Sequence, residues 1–448
     1  MRARLLLLCC LLFSCVACKK GDAPVTSAPS APKAAQVQTP EPALPLTAAP
    51  FLTQPIPTTV IETTNEALPI WRSFAKNRPA LIIIANSPAM FPAPAELHNE
   101  VDRLLKNADD KELLRRSNPN NPDPLLLPIM SLNVALDAGW FSQVLWIFPA
   151  KQLPEELNLA TFQEQLVAAQ IASPDEAASF TLNQGSFSGI IRGRPFTAAP
   201  AEALPPLEQS ALLHIDADYF KPLYNGEIKT PLYPLMIGLL NKIKAQGGKI
   251  AAATVALSNQ QFDGLPLQTR FLGKDLATVL QDPQMLQEAF PQQWERRSNA
   301  LYLENFMQKE EIRRVYLEME KEDPADPAVK FGLYNISRQL NKTDDALNYL
   351  RETVQLDNIY ALEYLALSEL AMEKNRPNKA VEMMQLARSA QPDNPFILTL
   401  LVRTLLNTGH QEEAKALKQE LTALNWSRIY YPEQYEEKEA LSRLLEGK

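Results

Sequence analysis

Cysteine is missing from almost the whole chain. Its four copies, Cys9, Cys10, Cys15 and Cys18, all fall in the first eighteen residues. The body therefore has no disulfide framework and no cysteine metal site, and whatever the thiols do, they do at the N-terminus. Histidine is almost as scarce, with only His98, His214 and His410. Basic residues are in deficit, which leaves a net charge of −8 and no footprint for nucleic acid. Glycine is sparse, and Gly185, Gly189 and Gly193 do not sit between a strand and a helix at the spacing of a phosphate cradle, so they read as turns. What is present is globular: 46% apolar and 21% charged residues over 448 positions, enough for two or three domains with cores of their own.

The first eighteen residues read as a signal peptide. Arg2 and Arg4 supply a positive start, and the apolar stretch from Leu5 to Phe13 is too short to anchor in a bilayer. It ends in Leu12-Phe13-Ser14-Cys15 and then Val16-Ala17-Cys18. This resembles the lipobox of bacterial lipoproteins, in which a small residue precedes the cysteine that carries diacylglycerol through sulfur and becomes the N-terminus. Cys15 fits better, with Leu12 three places before it, and Cys18 remains the alternative. The resemblance implies lipid acylation of the palmitate kind and a membrane anchor. Neither cysteine is followed by aspartate, which by the same resemblance implies the outer membrane, facing the periplasm. Residues 19–67 follow as a tether rich in proline and alanine, with nine prolines between Gly21 and Val60. That composition favours extended chain over a core.

Residues 68–297 show apolar runs at 80–86, 144–148, 211–215 and 249–257, alternating with helical periods at 95–106, 157–172 and 232–245. Such alternation predicts an α/β domain, a mostly parallel sheet with helices on both faces. A small hairpin is expected over 179–194.

One stretch of this domain could carry chemistry: His214-Ile215-Asp216-Ala217-Asp218, at the end of the third run. Carboxylates just past a buried strand lie at the edge where α/β sheets bind ligands. Strand alternation would put His214, Asp216 and Asp218 on one face, as weak candidates for a divalent metal. With Pro222 and Thr230-Pro231 before the next helix, the stretch is similar to the second metal motif of the arginase/agmatinase (ureohydrolase) family. The resemblance implies a metal-dependent hydrolase. The chain departs from it, however, because no Asp-x-His-x-Asp cluster precedes Asp216, and a two-metal hydrolase needs both clusters. No catalytic residue is assigned, and no cofactor is expected beyond that weak metal.

The last third repeats. Ala346, Ala380 and Ala414 are spaced by 34 residues, as are Leu333, Leu367 and Leu401, and the turn positions Asn341, Asn375 and Gly409 keep the same phase. These positions resemble the tetratricopeptide (TPR) repeat, a helix pair in which the alanine permits close crossing and the turn takes a left-handed residue. The resemblance implies an all-α solenoid: a degenerate helical pair at 298–326, three units over 327–428 and a capping helix at 429–448. Its concave groove would carry Phe331, Asn335 and Arg338 from the first unit, Leu365, Glu369 and Glu373 from the second, and Arg403 and Asn407 from the third. A protein partner is expected there, with an extended peptide or helix on an apolar floor bearing charges of both signs. Two functions stay open: a lipid-anchored, periplasm-facing adaptor, and a hydrolase-like enzyme using Asp216 and Asp218 with the repeats as its docking arm.

Overall fold

The computed structural model describes residues 54–150, 157–206, 210–224, 232–257, 267–285 and 291–446. Cys15, Cys18, most of the tether and the Thr230-Pro231 pair lie outside these. Eight strands form one sheet: Thr58–Ile61 (β1), Ala80–Ile84 (β2), Val144–Phe148 (β3), Thr181–Asn183 (β4), Ser186–Ile191 (β5), Arg194–Pro200 (β6), Ser210–Asp216 (β7) and Lys249–Ala256 (β8). Their spatial order is β1-β8-β7-β2-β3-β6-β5-β4. Strands β1 through β6 in that order are parallel, while β5 and β4 add an antiparallel edge.

Alternation along the central strands feeds two cores. From β2, Leu81 and Ile83 join Trp71 and Phe141 on one face, while Ala80, Ile82 and Ile84 join Met236 and Leu276 on the other. The first face is covered by Leu68–Phe74 (α1), His98–Asn107 (α2), Asp110–Ser117 (α3), Ser131–Asp137 (α4), Leu159–Ala168 (α5) and Pro174–Ala178 (α6). After the short Lys221–Tyr224 (α7), Leu232–Ala245 (α8) and Phe271–Gln281 (α9) cover the second. The sequence of α8 explains its place, since Leu232, Met236, Leu239, Leu240 and Ile243 recur at helical spacing and are all buried. Each such side chain contributes about 1.5–3 kcal/mol on leaving water.

Three sequence expectations change here. Strand β1 and the 3-10 turn Thr64–Ala67 belong to the folded body, although composition assigns them to the tether. An edge strand tolerates the Pro55 and Pro57 that precede it, so proline content hid the strand. Ile56 N–H donates to Leu280 O (2.8 Å) and Ala253 N–H to Pro57 O (2.8 Å), fixing this segment to α9 and β8. Second, Gly185 and Gly193 are left-handed turn residues, but Gly189 lies within β5, where a Cβ would come within 2.5 Å of the Phe180 ring. Its hydrogen is needed for packing rather than turning. Third, the boundary at 297/298 cuts through a helix, Gln292–Glu304 (α10), whose Trp294 stacks on Tyr233 of α8 at 4.8 Å.

The rest of the chain is helical: Lys309–Glu322 (α11), Pro327–Gln339 (α12), Thr343–Leu356 (α13), Leu362–Glu373 (α14), Pro377–Ala390 (α15), Pro395–Asn407 (α16), Gln411–Ala416 (α17), Lys418–Ala423 (α18) and Pro432–Leu445 (α19). Asn341, Asn375 and Gly409 adopt φ of 59°, 53° and 82° in the turns after α12, α14 and α16. Ala346, Ala380 and Ala414, one turn or so into the following helices, are buried.

Two buried arginines join the helices to the sheet body. Arg297 of α10 donates to Asp275 of α9 (2.9 Å) and to Asp326 (2.5 Å), the residue that caps α12. Arg270 donates to Glu62 beyond β1 (2.8 Å) and to Asp357 (3.3 Å), just before α14. The far end returns as well. Ser427 N–H donates to Pro122 O, Tyr430 OH to Leu125 O and Tyr431 OH to Pro119 O, each at 2.8 Å. The helical region is thus held to the α/β body at both ends.

Candidate functional site

Two places gather the residues singled out above. The first is the carboxyl end of the parallel strands. From β2 the chain proceeds to β3 on one side, and from β7 to β8 on the other. The crevice between β2 and β7 is therefore the topological switch point, where open α/β sheets bind ligands. Asp218 and Asn86 bridge it, with the Asn86 N–H donating to Asp218 Oδ1 at 3.0 Å.

Asp216 ends β7 and caps the 3-10 turn Ala217–Phe220. Its Oδ1 accepts the Asp218 N–H (3.0 Å), and its Oδ2 accepts the Thr64 hydroxyl (3.1 Å). Asp218 lies in that turn and not in a strand, so strand alternation does not place it with His214. His214 sits two residues back, fully buried, with Nδ1 on Thr254 Oγ1 at 2.8 Å and its ring edge-on to Trp71 at 5.4 Å. The three expected ligands are thus spread along the crevice wall: Asp216 and Asp218 are bonded to their own neighbours and His214 through Nδ1, while His214 Nε2 is buried without a hydrogen-bond partner. These residues do not fit a two-metal centre, since both Asp216 oxygens and the His214 Nδ1 are engaged by protein groups. Among the described residues no group of three or more His, Cys, Asp or Glu is placed to hold a metal ion.

The electrostatics follow from burial. It pulls the His214 imidazole down to about 3, so the ring is neutral. It pushes the Asp216 carboxyl up to about 6, and Asp218 goes well above its ordinary value through burial and the Asp216 charge beside it. The two carboxyls interact, so they release their protons as a pair rather than singly. Glu66, whose side chain caps the Thr63 N–H at 3.3 Å, is also raised by burial. Thr64 borders this crevice through Asp216, and Thr63, Asn65 and Glu66 belong to the same capped turn; all four escaped the sequence reading. Their signal was the Thr63-x-x-Glu66 capping box.

The second place is the inner face of the helical region. Here the expected groove residues divide. Phe331 does not face a groove: it is buried between Tyr334 (5.3 Å) and Tyr360 (4.8 Å), in a cluster that Leu267 of the sheet body also covers. Asn335 is half-buried, and Arg338 donates to Tyr334 OH (2.7 Å) and Glu363 (2.6 Å). Of these three, Phe331 is covered by the chain itself, while Asn335 and Arg338 reach the surface. On α14 and α16 the face is open. Leu365 is half-buried, and Glu369, Met372, Glu373, Arg403 and Asn407 are exposed. Arg403 donates to Glu437 of α19 at 2.9 Å. Of the other histidines, His98 bonds Ala93 O (2.8 Å) and His410 bonds Thr408 Oγ1 (2.8 Å), so neither reaches the crevice. Comparison with models of known protein families and with curated proteins finds no match to this chain.

Proposed function

We propose that this chain is a lipid-anchored, periplasm-facing adaptor in which tetratricopeptide-like helix pairs hold a partner protein and the α/β body is their platform. The observation that carries the reading is the phase of the helix pairs. Three turns spaced by 34 residues put Asn341, Asn375 and Gly409 in left-handed backbone, each followed by a buried alanine. That is the arrangement a stacked helix-pair array requires, and such arrays bind extended peptides or helices along their inner face. The anchor rests on the sequence alone, on Cys15 or Cys18, and so does the outer-membrane location.

The hydrolase-like alternative has the switch-point position of Asp216 and Asp218 in its favour. Against it stand the hydrogen bonds that already occupy both residues. One in-cell experiment separates the readings: photocrosslinking from position 407 in the full-length chain, with membrane fractionation. Adducts are expected in the membrane fraction and are expected to persist in Asp216→Asn. Glu369→Lys, which reverses a charge on that face, is expected to deplete them. Cys15→Ser with Cys18→Ser is expected to move the chain to the soluble fraction. Loss of adducts in Asp216→Asn with none in Glu369→Lys would replace the adaptor by the enzyme.

A further inference from the structure

The open inner face has an unbalanced charge. Glu369 and Glu373 stand one turn apart on α14 and are exposed, with no ion-pair partner among the described residues. The two arginines of the inner face do not neutralise them, because Arg338 is held by Glu363 and Arg403 by Glu437. Lys374 follows Glu373 directly but points about 100° round the helix, since adjacent residues do not share a face. A like-charge pair at this spacing repels and destabilises an isolated helix. Between the two carboxylates Met372 is 40% exposed, and Leu365 lies half-buried a turn before Glu369. Methionine is the side chain best able to adapt to a partner's shape.

This face is also fixed in place. Asp357, just before α14, is gripped by Arg270 and Lys274, and Phe396 of α16 packs against Trp426 and Tyr431. A face that does not have to be ordered on binding loses less to entropy. We infer that α14 and α16 dock a cationic amphipathic segment of the partner, its lysines or arginines meeting Glu369 and Glu373 and its apolar residues meeting Met372 and Leu365. The inference rests on the adaptor reading and names the chemistry of what is bound.

The test uses the full-length chain and two labelled amphipathic peptides, one of leucine and lysine, the other of leucine and glutamate, titrated by fluorescence anisotropy. The lysine peptide should bind, more weakly as salt is raised, and the glutamate peptide should not. Glu369→Gln with Glu373→Gln should weaken the lysine peptide about tenfold. Glu382→Gln, on α15 and paired there with Lys379, should leave binding unchanged. Glutamine keeps the helix, which circular dichroism checks. Equal binding of the two peptides, or parental affinity in the double variant, overturns the inference. If crosslinks from position 407 persist in cells under that result, the adaptor reading stands and only the cationic partner falls. If they vanish too, both fall.

Discussion

The carboxylates of the sheet edge and those of the helical face look alike in sequence and differ in what surrounds them. Asp216 and Asp218 lie in the stretch with the strongest look of chemistry, yet the chain satisfies them with Thr64, Asn86 and each other. Glu369 and Glu373, expected on the groove face of the second helix pair, are left to solvent. The difference shows that residue type and spacing signal where a group can act, while hydrogen-bond partners decide whether it is free to. Buried polar groups are costly unless paired, so the fold supplies partners inside and leaves them off outside.

The sharpest way to break this comparison is to strip a partner from a buried charge. Arg297→Met leaves Asp275 and Asp326 without their guanidinium and should cost about 3–5 kcal/mol in urea unfolding. Arg403→Met, on the exposed face, should cost no more than about 1 kcal/mol. Equal losses would mean that the helices are not joined to the sheet body through α10. Next in size is the helix-pair register. Ala380 is fully buried, and its carbonyl accepts the Ser368 hydroxyl at 3.0 Å. Ala380→Leu should cost about 1–3 kcal/mol by overpacking, and Lys379→Ala well under 1 kcal/mol. Matching thermal midpoints for those two variants would show the 34-residue register to be misplaced.

The smallest effect concerns pH. The Asp216 carboxyl ionises at about 6 in the fold against an ordinary value of 3.8. It therefore binds more protons folded than unfolded, and its contribution to stability is lost as pH rises from about 4 through 6. Asp216→Asn removes that loss. It should stabilise by about 1–2 kcal/mol at pH 8 and by nothing measurable at pH 4, less than the whole shift would give because Asp218 beside it titrates with it. His214 works in the opposite sense, losing stability as pH falls below 6.5 toward 3, but it is present in both proteins and cancels. A difference between the two proteins that does not vary with pH would show that burial does not raise the Asp216 carboxyl.

Much of the fold was legible. The four apolar runs became β2, β3, β7 and β8 within a residue or two, because a strand buried on both faces has to be apolar throughout. The turn residues at 341, 375 and 409 were legible because left-handed backbone restricts which side chains fit. What stayed hidden depends on tertiary placement. β1 was masked by its prolines, and Gly189 owes its smallness to a ring nine residues away in sequence. The burial of Phe331 required knowing that Leu267 and Tyr360 come to it. The return of Ser427, Tyr430 and Tyr431 to the loop at 119–125 bridges some three hundred residues, a separation at which no local pattern informs.

The placement of β1 has a mechanical consequence. It is the outermost strand on its side and the first element to feel a pull on the chain that precedes Gln54. A pull along the strand axis loads its backbone bonds to β8 together, in shear. A pull across the sheet loads them one after another, as a zipper is opened. Glu62, at the other end of this strand, is bonded to Arg270, which also bonds Asp357 at the base of α14. The strand that meets the N-terminal chain and the helix that presents Glu369 and Glu373 therefore share one buried arginine.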